Sequence, residues 1–192
     1  PNRHINVIAI GASTGGTEAL YTILKALPED MPPILVVQHM PPVFTKMFAE
    51  RLNSSCLLEV KEAQDGDTLY PGRVLLAPGN FHMKVVKKET GFYVECFKGE
   101  KVNGHCPSID VLFKSVAEVV GNRAVGVILT GMGKDGAQGL LEMRKKGART
   151  LGQDEKTCVV YGMPKVAYDI GAVEKQAPIH EIPDLLKEIV GK

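Results

Sequence analysis

Apolar residues fall along this chain in two alternating kinds of run. NVIAIGA at residues 6–12 and ILVVQHM at 34–40 are short, β-branched and apolar on both faces, the signature of strands in a sheet covered on both sides. Residues 17–26 instead space their apolar positions at helical period, and Pro28 stops them. VFTKMFAERLN at 43–53 predicts a second helix, opened by Pro41 and Pro42. LEVKEA (58–63) and GRVLLAPG (72–79) flank a turn around Asp65-Gly66-Asp67. HMKVVKK and GFYVECFK alternate like the arms of a hairpin joined at Glu89-Thr90-Gly91. Pro107-Ser108 starts a helix that runs through Val120, AVGVILTG (124–131) reads as a strand, and Gly136 to Lys146 as a helix. ARTLGQD predicts another strand, followed by a helix near 159–169 and the terminal helix IPDLLKEIV.

Repeated strand–helix–strand units imply right-handed crossovers. The fold class expected is therefore α/β: a doubly wound, mainly parallel sheet with helices on both faces. The hairpin at 82–98 is expected as an antiparallel addition at one edge. With 192 residues, no internal repeat and no linker, one buried core and one domain are expected. Composition adds mainly exclusions. A formal net charge of +1 gives no bulk attraction to nucleic acid, and no apolar run has transmembrane length. The basic groups at Lys84, Lys87, Lys88 and at Arg144, Lys145, Lys146 read as solvated faces. Four cysteines without a C-x-x-C pair suggest neither a zinc site nor a disulfide framework, but reduced thiols in the cytoplasm. His105-Cys106 lacks metal-ligand spacing.

In parallel sheets, chemistry gathers at the carboxyl ends of strands. Three predicted strands end near suggestive residues: Ser13, His39 and Asp135. These types can serve as nucleophile, base and orienting carboxylate, because a serine hydroxyl attacks well only when an imidazole takes its proton. Gly11-Ala12-Ser13-Thr14-Gly15 fits G-x-S-x-G, a tight strand-to-helix bend that projects the hydroxyl outward. Alternatives stand beside this reading. Ser13 could merely cap the helix. Gly11-x-Ser13-x-x-Gly16 is one substitution from a dinucleotide fingerprint, although Gln38-His39 stands where a ribose-binding acid is expected. His82 and His105 compete with His39 as base, and Asp110 and Asp154 with Asp135 as acid.

Beyond these residues, the chain resembles the catalytic domain of the bacterial chemotaxis protein-glutamate methylesterases, the CheB family. The resemblance is carried by IGASTGGTEAL, VVQHMPPVFTKMFAERL, LAPGNFHM, PSIDVLFKSVA, GVILTGMGKDGAQGLLEMRKKGA and QDEKTCVVYGMPKVA. It implies Ser13 as nucleophile, His39 as general base and Asp135 as its orienting carboxylate. It also implies that the backbone N–H groups of Thr14 and Met132 receive the oxyanion. The implied reaction hydrolyses γ-glutamyl methyl esters on methyl-accepting chemotaxis receptors, with deamidation of receptor glutamines in some members. No metal or organic cofactor is implied. Members usually carry an N-terminal phosphoacceptor receiver domain. None is expected within these residues, so 1–5 read as a linker stub and 6–192 as an isolated catalytic domain, and the start at Pro1 rather than Met suggests a chain either processed or cut from something longer.

Overall fold

A computed structural model describes residues 4–192. The linker stub expected at 1–5 thus falls largely outside the described residues, whereas Ile5 is already buried in the core. Seven strands, β1 (Val7–Ala12), β2 (Ile34–Gln38), β3 (Glu59–Glu62), β4 (Arg73–Leu76), β7 (Ala124–Ile128), β8 (Arg149–Gln153) and β9 (Lys175–Ala177), form one sheet. Its order is β3-β4-β2-β1-β7-β8-β9, and every neighbouring pair is parallel. The chain proceeds from β1 outward through β2, then returns to place β7 on β1's other side. That reversal of direction opens a crevice at the carboxyl ends of β1 and β7.

All six residues of β1 are buried because both faces of the sheet are covered. Ile8 and Ile10 point into one core with α1 (Gly16–Lys25), α2 (Phe44–Ser55) and α6 (Ile182–Val190). Val7 and Ala9 point into the other, with α3 (Ile109–Val119), α4 (Ala137–Lys145) and α5 (Met163–Asp169). Each fully buried Ile or Leu contributes roughly 1.5–3 kcal/mol relative to exposure, so the continuous apolar strands fix which chain segments lie at the centre.

Three details differ from the sequence expectation. First, the antiparallel hairpin, β5 (His82–Lys88) and β6 (Gly91–Phe97), makes its own two-stranded sheet and adds no strand to the parallel one. Met83, Val85 and Val94 bury its inner face in the second core, so packing rather than ladder pairing attaches it. Second, β3 and β4 are parallel neighbours although a short loop joins them. That loop pairs with the hairpin instead: Gly66 N–H donates to Val94 C=O and Val94 N–H to Asp67 C=O, at 2.8 and 2.9 Å. Third, the helix expected near 159–169 starts only at Met163. Residues 158–161 run as a loop because Gly131 N–H donates to Val160 C=O, at 3.0 Å, and Thr130 binds the Val160 amide.

Candidate active site

β1 delivers Ser13 to the crevice, and backbone bonds pin it there. Ser13 N–H donates to Thr130 C=O at 3.0 Å, while Ser13 C=O accepts from Gly16 N–H at 2.7 Å and from Gln38 Nε2 at 2.8 Å. Gly15 adopts φ 82°, a left-handed conformation that lets the chain turn straight into α1. On the far side lies Gly131: a Cβ there would come within 2.7 Å of Ser13 Cβ, so only glycine lets the strand pass this closely. Thr130 ties three loops together. Its hydroxyl donates to Thr14 C=O at 2.9 Å and accepts from Val160 N–H at 3.0 Å. The N–H groups of Thr14 and Met132 have no acceptor among the described residues, and Met132 is 66% exposed.

His39 follows β2, and the pairing of Ala12 with Gln38 makes His39 the next step opposite Ser13. His39 N–H donates to Ala12 C=O at 3.2 Å. Its ring is nearly buried, at 7% side-chain exposure, and its Nε2 lies 2.7 Å from Asp135 Oδ2. Asp135 itself accepts four further bonds: from Asn103 Nδ2 (2.9 Å), Ser108 Oγ (2.8 Å), Ile109 N–H (2.8 Å) and Asp110 N–H (3.1 Å). The last two amides belong to the first turn of α3, so the carboxylate also satisfies orphan donors of that helix. Burial pushes the Asp135 carboxyl up, but the bonds from His39, Asn103, Ile109 and Ser108 outweigh it and hold it at about 2. An ionised carboxylate only accepts, so His39 Nε2 must carry the proton. In neutral imidazole Nδ1 is then the basic nitrogen, and it is buried without a partner among the described residues. No hydrogen bond joins Ser13 Oγ to His39 among the described residues; such bonds often tighten only when substrate arrives.

Of the rival side chains, His82 and Asp154 are engaged away from this pair, whereas His105 and Asp110 adjoin it. His82 donates from Nε2 to Glu100 C=O at 2.7 Å, and its Nδ1 accepts from Ser108 N–H at 3.2 Å, leaving no basic nitrogen. His105 lies flat against His39, with ring centroids 3.6 Å apart and planes at 7°. Asp154 binds the amide and hydroxyl of Thr157 in its own turn. Asp110 accepts from Gly139 N–H and Asn103, and burial pushes its carboxyl up. The phosphate-cradle alternative loses its space: a Cβ on Gly16 would run into Gln38 Oε1, so Gln38 fills the hollow behind the loop. Sequence reasoning missed the supporting residues Gln38, Asn103, Ser108 and Thr130. Only Asn103-Gly104 carried a readable signal, as a tight-turn dipeptide.

The cysteines are all free thiols, and burial pushes Cys106, at the edge of this site, away from the thiolate form. A cleft of about 290 Å³ opens beside the His39 and His105 rings, with Lys101 on its wall. No cluster of three or more His, Cys, Asp or Glu able to hold a metal occurs among the described residues.

The fold and this crevice define a doubly wound α/β protein whose strand ends collect a serine, a histidine–aspartate pair and unengaged backbone N–H groups. The chain belongs to the CheB methylesterase family, whose pattern it matches over residues 8–186. It is 61% identical over 186 residues to a protein-glutamate methylesterase/protein-glutamine glutaminase 2 of Syntrophomonas wolfei, covering 97% of this chain and 54% of that protein. A protein-glutamate methylesterase/protein-glutamine glutaminase of Agrobacterium fabrum is 57% identical, covering 92% of this chain and 50% of its own length. The crystal structure of the Thermotoga maritima CheB methylesterase catalytic domain superposes with a TM-score of 0.95 at 40% identity, covering 98% of this chain and all of that one. The chain spans about half the length of the curated relatives it matches.

Proposed function

We propose that this chain hydrolyses γ-glutamyl methyl esters on methyl-accepting chemotaxis receptors, and deamidates receptor glutamines by the same acyl chemistry. The observation that carries the reading is the 2.7 Å bond from His39 Nε2 to Asp135, which leaves Nδ1 as a buried, unpaired base beside the Ser13 loop. In this mechanism His39 Nδ1 takes the Ser13 proton as Oγ attacks the ester carbonyl. Asp135 holds the ring in its Nε2–H form and stabilises the imidazolium, as the carboxylate of a triad does. The N–H groups of Thr14 and Met132 receive the oxyanion of the tetrahedral intermediate. Collapse breaks the ester C–O bond, and methoxide leaves as methanol with the proton from Nδ1. Water then attacks the glutamyl-Ser13 ester, giving a proton to Nδ1; collapse breaks the acyl–Oγ bond, Nδ1 returns the proton to Ser13 Oγ, and the receptor side chain leaves as glutamate. With a glutamine substrate the first leaving group is ammonia.

The partners follow from the same reading: receptors as substrate, and a receiver domain in the part of the protein beyond this chain, with the whole acting in the cytoplasm. No described helix is long and apolar enough to cross a membrane. The test is methanol release from receptor membranes carrying labelled methyl esters. Ser13→Ala should lower the rate by about 10⁴-fold or more. Wild-type activity in Ser13→Ala would refute the assignment of the nucleophile.

A further inference from the structure

One tight turn reaches both members of the His39–Asp135 pair. Val102 and His105 bond to each other in both directions, N–H to C=O, at 2.9 and 3.0 Å. The two residues between them, Asn103 at φ 54° and Gly104 at φ 81°, are both left-handed, the pattern of a type I′ turn. Asn103 sends its amide group to Asp135 Oδ1 at 2.9 Å and to Asp110 Oδ2 at 2.7 Å. Two residues later, His105 stacks on His39 at 3.6 Å.

We propose that Asn103 and His105 are positioning residues, the first fixing the plane of the Asp135 carboxylate and the second the plane of the His39 ring. The inference rests on the reading of His39 and Asp135 as base and orienting acid. A single hydrogen bond holds one atom of an imidazole and leaves the ring free to tilt about that bond. The flat face of His105 removes this freedom, and so fixes the direction in which Nδ1 points. The Asp135 carboxylate is also held by Ser108 and the Ile109 and Asp110 amides, but those three bonds all come from the start of α3. Asn103 grips Oδ1 and anchors it to Asp110, which is itself fixed by Gly139 N–H at 2.7 Å. Neither residue need touch substrate. Their effect comes through aim, and misplacement by about 1 Å can cost about 10²-fold in rate.

The experiment compares His105→Ala, His105→Phe and Asn103→Gly with wild type, measuring kcat and KM for methanol release from methylated receptor membranes and Tm for each protein. Asn103→Gly keeps a residue suited to the left-handed backbone while deleting the amide. His105→Ala and Asn103→Gly should each lower kcat by roughly 10- to 100-fold with KM changed less than about threefold. His105→Phe, which restores a flat ring, should recover most of the kcat lost in His105→Ala. Wild-type kcat in both truncations, a change confined to KM, or losses that merely follow Tm would overturn the inference. Should His105→Ala fail to fold, Asn103→Gly alone decides by the same criteria. Ser13→Ala separates the two levels: if it abolishes hydrolysis while the turn variants match wild type, only the positioning inference falls. If Ser13→Ala stays active, the reading of the site falls and the inference with it.

Discussion

Replacing Asp135 with Asn should cost stability in two parts that pH separates. The side chain is 1% exposed and accepts five hydrogen bonds, three on Oδ1 and two on Oδ2. Folding takes its carboxyl from the usual 3.8 to about 2, which converts to about 2 kcal/mol of stability. Because the folded value is the lower one, this contribution is complete above about pH 4 and disappears as pH falls toward 2. The second part is independent of pH. Whichever way the Asn amide turns, its NH₂ faces N–H or O–H donors, and each donor left unsatisfied costs about 1–3 kcal/mol. Asp135→Asn should therefore be about 3–5 kcal/mol less stable than wild type at pH 7, with the gap narrowing by about 1.5 kcal/mol between pH 4.5 and 2.5. Urea unfolding of both proteins across that range measures it, since all other carboxylates are shared. A gap that stays constant would mean that Asp135 is not the strongly held anion described above. Methanol release should also fall by about 10³–10⁴-fold, because Asn favours the wrong imidazole tautomer.

Two further substitutions test the walls of the crevice. Gly131→Ala would set a methyl group 2.5 Å from the buried Met163 Cε and 2.7 Å from Ser13 Cβ, so kcat should drop by about 10²-fold and stability fall by about 1–3 kcal/mol; near-normal turnover would show that the two loops can part freely. Thr130→Val removes the hydroxyl shared by Thr14 C=O and Val160 N–H and should cost about 1–3 kcal/mol in urea unfolding. Thr130→Ser should restore it, and an equally unstable serine variant would point to packing of the methyl group instead.

The sheet was legible because its central strands are unbroken apolar runs, a pattern that only a layer covered on both faces produces. The three-residue β9 was not, since Lys175 and Gln176 carry no strand signal and are placed by pairing with β8 and by the Gln176 amide donating to Tyr161 Oη. The hairpin was legible as a hairpin but not in its docking, which depends on Met83, Val85 and Val94 meeting α3. At the site, residue type and strand ends singled out Ser13, His39 and Asp135 among rivals, and a resemblance across six blocks added to that choice. The decisive geometry was beyond reach. That both nitrogens of His82 are occupied, or that His105 is a stacking plate, follows from contacts between residues far apart in sequence. Gln38 is instructive: the sequence marked it as the wrong residue for holding a ribose, whereas its actual role is to fill the loop's hollow and bind Ser13 C=O.

The wholly parallel order of the main sheet bears on how the protein is made. The half comprising β1, β2, β4 and β3 is present once about residue 76 has emerged from the ribosome, but β1's other edge waits for Ala124–Ile128. Until then a completely apolar central strand carries an open row of backbone donors and acceptors, a state prone to pairing with another chain. Asp135 arrives later still, so its bond to His39 cannot form until most of the chain has been synthesised. A nascent chain that ends before Asp135 thus lacks the His39–Asp135 pair altogether, and the same lateness makes premature termination costly as an aggregation hazard. Slowing translation just after β7 should accordingly raise the soluble yield, as the edge of β1 is covered before more chain competes for it.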